Sequence, residues 1–438
     1  MRSTIDDDFT FAAVGDTLQV RAQLPTDDKG FLAVAEVVQA ADVAFANGEM
    51  TCFDLTSFDG WPAAQTGGGF TLGSPDVPAD LKAQGFALIA RANNHAADWG
   101  VAGMRETDRL FAQQGLVIAG TGESRAQARA PRYHQSRKGR VALVATTATF
   151  TLQSEAGAPL GQARARPGVA ALRVKPSVHV GQSVIDALRK DYGEQTSPAV
   201  VTWTTDRASA PSGRQDQLNI FGVNFRASGA PGVSYEMNAV DLAETMASIR
   251  QARAASDFVA FSVHAHESAS GRFNDQEQPD FMPVLAHAAI DAGADIFLGH
   301  GPHVLRGIEI YKGKPVFYGL GNYFFQLDLL EGLPRDILNP AYLSEHEQVA
   351  PLLAKGFGDT ATWESVVAVS RFAGGVVRRI ELHPIDLGAD LPSSRRGVPR
   401  RASRAKASAI IRRIAELAAP YGTAIAESDG IGVISVAP

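Results

Sequence analysis

Short apolar runs of strand length alternate with helical patterns along most of this chain. The strand-like runs lie at 9–16, 42–49, 86–95, 116–122, 141–150, 257–266 and 294–298, and the helical patterns at 31–41, 101–114, 236–255 and 279–292. Strands that alternate with helices build a sheet whose two faces are both covered. The order of the elements therefore predicts an α/β fold.

Beyond this alternation, the chain divides into a main domain and a C-terminal segment. We expect the domain to span 1–390 and to contain an insertion or lid over 151–235, where the hydrophobic periodicity weakens. Within this insertion, Trp203 is expected either to be buried or to be displayed to a peptide. Hairpins predicted at 307–322, turning at Lys312-Gly313, and at 366–387 make the later sheet mixed. Residues 391–438 are interpreted as a basic linker and a helix, near 408–419, that packs on the domain.

Composition narrows the class of protein. A net charge of −6 argues against binding to nucleic acid, and the single cysteine, Cys52, excludes a disulfide within the chain and fits a reducing compartment. The N-terminal MRSTIDDDFTF has no apolar core of a signal peptide, and no apolar stretch approaches the length of a membrane span. We therefore expect a cytoplasmic protein that does not bind membranes, while its oligomeric state stays open.

Side chains that can bind a metal ion follow the apolar runs at their carboxyl ends. They are Asp16, Asn47, Glu49, Asn94, His95, His264, His266, His300 and His303. The carboxyl ends of the strands line the ligand crevice of an open α/β sheet, so we expect these side chains to converge. Imidazoles and oxygen ligands without a thiolate suit Mn, Fe, Zn, Co or Ni. The sequence therefore predicts a centre for one or two divalent metal ions per chain.

Five motifs, taken in order, resemble the CapA family, which is named for a poly-γ-glutamate capsule protein and belongs to the calcineurin-like metallophosphoesterase superfamily. They are GD (15–16), NGE (47–49), ANNHAADWG (92–100), SVHAHE (262–267) and GADIFLGHGPHVLRGIEIYKGKPVFYGLGNYFF (293–325). The resemblance covers about 9–150 and 236–326. It implies a four-layer α/β/β/α sandwich with a metal site at the strand ends.

The resemblance also implies roles for single residues. The metal ligands would be Asp16, Glu49, Asn94, His264 and His303, with His300 beside them. His95 matches the acid/base histidine of the superfamily, and Asp98 either orients His95 or caps the next helix. The residues expected to contact substrate or to orient the ligands are His266, Glu267 and Asn322.

Three departures from the family pattern bear on the chemistry. The first motif lacks a histidine two residues after Asp16, because Leu18 stands there, and Gly301 replaces an imidazole of the last motif. His266 is additional, since a glycine is common in its place. These changes favour a single ion, or two unequal ones, over a full dinuclear hydrolytic site.

In overall plan the chain resembles the soluble, anchorless branch of the family that contains lasso-peptide epimerases. This resemblance implies a metal-dependent enzyme that inverts a Cα, from L to D, in a ribosomal precursor peptide. Asp16 and His300 would be its acid/base pair, with His95 as a further catalytic candidate. Two alternatives stay open: metal-dependent hydrolysis of a polyglutamyl amide, peptide amide or phosphoester bond, and a non-catalytic module that binds a peptide or polymer.

Overall fold

The computed structural model describes residues 5–22, 24, 27–63, 69–193, 214–220, 222–327 and 358–436, so Trp203 lies outside the described residues. The described chain is a mixed α/β protein. Its helices are α1 (Lys29–Gln39), α2 (Val77–Ala83), α3 (Gly100–Gln113), α4 (Arg125–Arg129), α5 (Gln182–Tyr192), α6 (Ala239–Ala255), α7 (Phe281–Ala292) and α8 (Arg404–Ala418).

The strands are β1 (Phe9–Leu18), β2 (Val43–Asn47), β3 (Thr51–Cys52), β4 (Leu72–Gly73), β5 (Leu88–Ala90), β6 (Val117–Ala119), β7 (Thr121–Gly122), β8 (Arg132–Ser136), β9 (Gly139–Thr147), β10 (Gly168–Val169), β11 (Val174–Val180), β12 (Gln217–Ile220), β13 (Val223–Ala227), β14 (Gly232–Met237), β15 (Phe258–His264), β16 (Ile296–His300), β17 (Ile308–Tyr311), β18 (Lys314–Phe317), β19 (Asn322–Phe325), β20 (Glu364–Ala373), β21 (Val376–Asp386), β22 (Arg400–Arg401), β23 (Ala426–Ser428) and β24 (Ile431–Ser435). Most of the described strands belong to two large sheets.

The first sheet has the strand order β23-β24-β21-β20-β1-β2-β5-β6, with β19 also paired to β1 and β22 to β21. Strands β1, β2, β5 and β6 are parallel to their neighbours in that series, whereas β20 is antiparallel to β1. The antiparallel pair β20–β21 confirms the hairpin predicted at 366–387. The first sheet therefore contains both parallel and antiparallel strands, as the hairpin predicted at 366–387 implied.

The second sheet has the order β17-β18-β16-β15-β9-β8. β15 runs parallel to both β9 and β16 at its centre, and β17 pairs antiparallel with β18, which confirms the hairpin at 307–322. Lys312 and Gly313 both have positive φ angles, of 50° and 72°. Two consecutive residues of this kind form the tight turn whose twist matches that of the flanking strands.

The two sheets share one apolar interior. Phe9 and Phe11 of β1 contact Phe258 of β15, with ring centroids 5.0 and 5.5 Å apart, in a core cluster that draws residues from both sheets. The other face of the first sheet packs against helices that include α1, and that of the second against α6 and α7. The described chain thus has one core cluster shared by the two sheets and further apolar clusters that join each sheet to helices.

Within the predicted insertion, α5 packs on a small separate sheet with the order β12-β13-β11-β14. Its base is fixed by Asp241 of α6, which accepts hydrogen bonds from the guanidinium groups of Arg125, Arg129 and Arg173. Arg173 immediately precedes β11, so this charge cluster around the buried Asp241 ties the small sheet to α4 and α6.

The C-terminal segment differs from the prediction of a linker and a helix. α8 does pack on the shared core through Ile410 and Ile414, but β23 and β24 also extend the first sheet beyond β21. Several basic side chains of this segment bind acidic groups of the main domain, for example Arg400 with Asp28 at 2.6 Å. In the described residues no helix is both long enough and apolar enough to cross a membrane.

Candidate metal centre

Strands of both sheets end at the candidate metal centre. Asp16 lies near the end of β1, and Glu49 follows β2 by two residues in the same sheet. His264 is the last residue of β15 and His300 the last residue of β16. The parallel register pairs His264 with His300, so the two imidazoles leave the sheet side by side. All four residues are fully buried.

Asp16, His264 and His300 form one group, here named the Asp16 triad, whose ligand atoms all lie within 4.8 Å of one another. Nδ1 of His264 is 3.0 Å from Nδ1 of His300. Oδ1 of Asp16 lies 3.9 Å from the first of these nitrogens and 3.6 Å from the second. The three groups therefore face a common point.

Glu49, His266 and His303 form a second group of the same size, the Glu49 triad. Nε2 of His266 is 3.7 Å from Oε1 of Glu49, and Nδ1 of His303 is 4.0 Å from Oε2. Nε2 of His264 lies 3.4 Å from Oε1 of Glu49 and 3.1 Å from Nε2 of His266. Because His264 contacts both groups, the two triads make one continuous site.

The carboxylate of Asp16 is held from two sides. Nδ2 of Asn47 donates to Oδ1 at 2.7 Å, and the backbone N–H of Gly301 donates to Oδ2 at 3.0 Å. Burial by itself would raise the pKa of Asp16, but the hydrogen bond and charge of His303, with the other nearby imidazoles, outweigh it and hold the pKa well below its usual range. Asp16 is therefore an ionised carboxylate at neutral pH.

Hydrogen bonds also orient the imidazoles. The pairs are Ser262 Oγ with His300 Nε2 at 2.7 Å, Asn274 Oδ1 with His266 Nδ1 at 2.6 Å, and Asn322 Oδ1 with His303 Nδ1 at 2.8 Å. An amide oxygen accepts a hydrogen bond, so Nδ1 of His266 and Nδ1 of His303 both donate, and the Nε2 atom of each ring keeps its lone pair. Nε2 of His266 faces Glu49. Such partners fix the tautomer and the ring plane of a metal-binding histidine.

Burial keeps the imidazoles of His264, His266 and His300 uncharged. It lowers the pKa of His264 and of His266 well below the usual value, helped by the neighbouring histidines. It lowers the pKa of His300 to about 4, although the charge of Asp16 acts in the opposite direction. Neutral imidazole is the form that binds a metal ion, so at pH 7 these side chains need not lose a proton first.

Glu49 provides a direct test of whether a cation fits this site. Neither of its carboxylate oxygens has a hydrogen-bond partner among the residues that the structure describes, and burial, followed by the charge of Asp16, raises its pKa well above the usual value. A buried carboxyl group without donors is costly unless something compensates it. One carboxylate and two imidazoles suit a divalent ion such as Zn, Mn, Fe, Co or Ni. The Glu49 triad therefore fits a metal ion.

His95 and Asp98 form a buried pair linked to the triads through Asn93, whose Oδ1 accepts from the N–H of His95 and whose Nδ2 donates to Oδ1 of Asn47. Nδ1 of His95 lies 2.8 Å from Oδ2 of Asp98, which also accepts hydrogen bonds from the N–H and the hydroxyl of Thr71. Nε2 of His95 is then the nitrogen left for proton transfer. Trp99, not Asp98, is the N-cap residue of α3. Of the two roles predicted for Asp98, the structure therefore supports the one in which Asp98 orients the ring of His95, and not the one in which it caps α3.

The remaining predicted residues lie close to this centre in sequence or in space. Asn94 is buried in the turn after β5, and Glu267 is partly buried and accepts a hydrogen bond from the hydroxyl of Thr149 at 2.9 Å. A metal contact of Asn94 and a role of Glu267 toward the ligands stay predictions. Ser262 and Asn274 were not predicted as partners. Ser262 could have been found, because residues two apart in a strand point to the same face as His264.

We expect the Asp98→Asn variant to lose activity by about 10- to 100-fold, the range found when the partner that orients a functional histidine is removed. The amide keeps the shape of the side chain but can present its N–H₂ to Nδ1 of His95, which favours the wrong tautomer. The measurement is the turnover rate, with Asp186→Asn, at an exposed position of α5, as the control. Equal rates for the two variants would show that Asp98 does not act through His95.

Comparison with known proteins places this geometry in a family. Residues 10–327 match the family model described as "Bacterial capsule synthesis protein PGA_cap". Two proteins of Sinorhizobium fredii, Uncharacterized protein y4uA and Uncharacterized protein y4sH, are 40% and 39% identical over 99% of this chain and 94% of their own lengths. PGA biosynthesis protein CapA of Bacillus subtilis is 27% identical over 56% of this chain and 44% of that protein.

The matched range begins in β1 and ends just after β19, so it contains all six residues of the two triads as well as His95 and Asp98. Buried carboxylates and imidazoles at strand ends are the features that the sequence resemblance to CapA proteins implied. The chain belongs to the bacterial capsule synthesis protein PGA_cap family.

Proposed function

We propose that this chain is a metal-dependent peptide-modifying enzyme that inverts one Cα, from L to D, in a ribosomal precursor peptide of the lasso type. The observation that carries the proposal is an ionised carboxylate, Asp16, 3.6 Å from a neutral imidazole, His300, beside a triad that fits a cation. Proton abstraction next to a carbonyl group uses a base, an acid and a stabiliser of negative charge. The resemblance to soluble lasso-peptide epimerases supports the same reaction.

In this proposal the Glu49 triad holds the cation. The oxygens of Glu49 have no hydrogen-bond partner in the described residues, whereas Asp16 already accepts from Asn47 and Gly301. A bound divalent ion would supply Lewis acidity toward a substrate carbonyl. Mn, Co, Ni, Zn and Fe are the candidates, and Asn94 is a further candidate ligand.

The proton transfers fall to the side chains. The Cα–H bond breaks, its proton passes to the carboxylate of Asp16, and its electron pair moves into the adjacent carbonyl group. His300 is near enough to Asp16 to share that proton, but a carbon atom cannot sit between two groups 3.6 Å apart. The pair therefore acts on one face of the Cα, and the opposite face needs another proton donor. His95, oriented by Asp98, is our candidate for this role.

Isotope incorporation tests the reaction directly. When a lasso-type precursor peptide is incubated with the enzyme in D₂O, we expect one deuterium at the Cα of a single residue, a D-configuration at that residue and no cleavage. Mass spectrometry and chiral amino-acid analysis measure these outcomes. Two fragments that together contain one added water would contradict epimerisation and support hydrolysis.

Removal of the metal ion tests the role of the Glu49 triad. Several kcal/mol of charge stabilisation corresponds to a loss of at least about 100-fold in rate, so we expect chelation to lower turnover by that factor. Addition of Mn, Co, Ni or Zn should restore it. Full activity in protein shown by elemental analysis to be metal-free would remove the cation from the proposal and leave the acid/base part standing.

Hydrolysis is the second candidate, because the two triads adjoin. Nε2 of His264 contacts Glu49 at 3.4 Å, so a pair of cations could be held side by side, an arrangement that clamps the attacking and leaving oxygens in hydrolytic enzymes. The relative from Bacillus subtilis is named a PGA biosynthesis protein, which suggests a polyglutamyl amide as substrate. Brisk turnover of a polyglutamyl peptide or of p-nitrophenyl phosphate by metal-loaded enzyme would favour this candidate.

The overall architecture and the location of the chain are part of the same proposal. We take the two sheets with their outer helices as the α/β/β/α sandwich of calcineurin-like metallophosphoesterases and 1–390 as the catalytic domain. The small sheet within 151–235 would grip the peptide substrate. A cytoplasmic location and the absence of nucleic-acid and membrane binding belong to this proposal. They are tested by fractionation of cells that express the full chain.

A further inference from the structure

One surface loop holds an imidazole of the Glu49 triad from two sides. The loop, Ser268–Asp275, follows β15 and is named the clamp loop. Oδ1 of its Asn274 lies 2.6 Å from Nδ1 of His266, and the ring of its Phe273 stacks on the imidazole with a centroid distance of 4.2 Å and an angle of 3° between the planes. Phe273 is 56% exposed, so its ring lies between solvent and the ligand. The clamp loop therefore determines both the tautomer and the ring plane of His266.

The clamp loop is itself fixed at both ends by a buried guanidinium group. Nη2 of Arg306 donates to the backbone carbonyl of Glu267 at 2.7 Å and to that of Asp275 at 2.9 Å, and Nε donates to the latter at 3.1 Å. Asn274 has a φ of 60°, a region that few residues other than glycine adopt. A backbone held there by its surroundings is typical of functional sites, and here it accompanies the contact of Asn274 with His266.

The other triad is oriented in a different way. His300 is bonded by Ser262, which lies inside β15 and is fully buried. The backbone pairing of β15 with β9 and β16 fixes the position of Ser262. The orientation of His300 in the Asp16 triad thus depends on the sheet, whereas that of His266 in the Glu49 triad depends on an exposed loop.

We infer that the clamp loop sets the strength with which the Glu49 triad holds a divalent cation, through Asn274 and Phe273 acting as positioning residues on His266. The inference rests on the proposed function in one respect, because it takes the Glu49 triad as a cation site. It adds that the strength of ion binding is adjusted from outside the sheets, at His266.

The test is calorimetric titration of the metal-free full chain with Co²⁺ and with Mn²⁺. Loss of an outer partner typically costs 10- to 100-fold in metal affinity, so Asn274→Ala should weaken binding of at least one ion by about that factor. Phe273→Leu should weaken it by a smaller factor and change the visible spectrum of bound Co²⁺. Asn274→Asp, which keeps an acceptor for Nδ1, should bind within about threefold of wild type or more tightly.

Two control variants separate the clamp loop from general effects. Val284→Ala, at an exposed apolar position of α7, should bind as wild type, and Ser262→Ala should not weaken the binding event that Asn274→Ala weakens. Thermal unfolding checks that each variant is folded. The inference would be overturned if Asn274→Ala bound both ions with wild-type affinity. It would also be overturned if Asn274→Ala and Ser262→Ala weakened the same ion-binding event equally. A wild-type protein that binds neither ion at millimolar concentration would instead overturn the proposed cation site, and this inference with it.

Discussion

Glu49→Gln is expected to abolish tight cation binding and, in the metal-free protein, to raise thermal stability. The affinity should fall by more than the 10- to 100-fold that loss of an outer partner costs, because a ligand itself is lost. The stability should rise because burial and the charge of Asp16 both disfavour the Glu49 carboxylate in the metal-free protein, and an amide carries no charge.

Calorimetric titration and thermal unfolding of the metal-free protein measure the two effects. The matched control is Glu309→Gln, since Glu309 is a partly buried carboxyl group that accepts a hydrogen bond from Tyr318 and belongs to neither triad. We expect the control to keep the wild-type affinity within about threefold, well inside the cost of losing an orienting partner. Tight binding retained in Glu49→Gln would place the ion elsewhere.

Asp16→Asn should lower the rate of epimerisation by about 10³-fold or more, toward the upper end of what a general base contributes. The amide preserves an acceptor for one of the donors that hold Asp16, but it cannot take a proton from carbon. Because the proposed ion is bound by the Glu49 triad, the metal content of this variant should equal that of wild type.

The rate is followed as deuterium incorporation, and the metal content by elemental analysis. A variant that loses one of two bound ions together with its activity would identify Asp16 as a ligand and favour the hydrolytic candidate. A variant with wild-type turnover would remove Asp16 from the chemistry altogether.

Much of the site could be predicted because it follows from strand direction. Asp16, His264 and His300 lie at the ends of apolar runs, and the carboxyl ends of parallel strands meet at one edge of a sheet. The alternation of elements also predicted the α/β class. What the pattern could not show is which three side chains form each triad, because the triads join residues as far apart in the chain as Glu49 and His303.

The differences between the predicted and the observed structure have physical causes as well. The strand predicted at 86–95 ends at Ala90, where its ladder with β6 stops, although the polar motif that follows looks continuous with it. β23 is short and exposed along its whole length, so it has no hydrophobic alternation by which to predict it. Asn274 lies in an irregular loop, and its contact with His266 depends on a backbone conformation that sequence periodicity does not encode.

The face-to-face packing of the two sheets has a consequence for folding. The carboxylates Asp16 and Glu49 come from one sheet, whereas the four triad imidazoles come from the other or from the loops that follow it. A partly folded molecule in which only one sheet has formed would have either the carboxyl groups or the imidazoles of the site. Binding of an ion should therefore require that the two sheets have packed together. Substitutions in the aromatic core around Phe258 should weaken ion binding, although Phe258 belongs to neither triad.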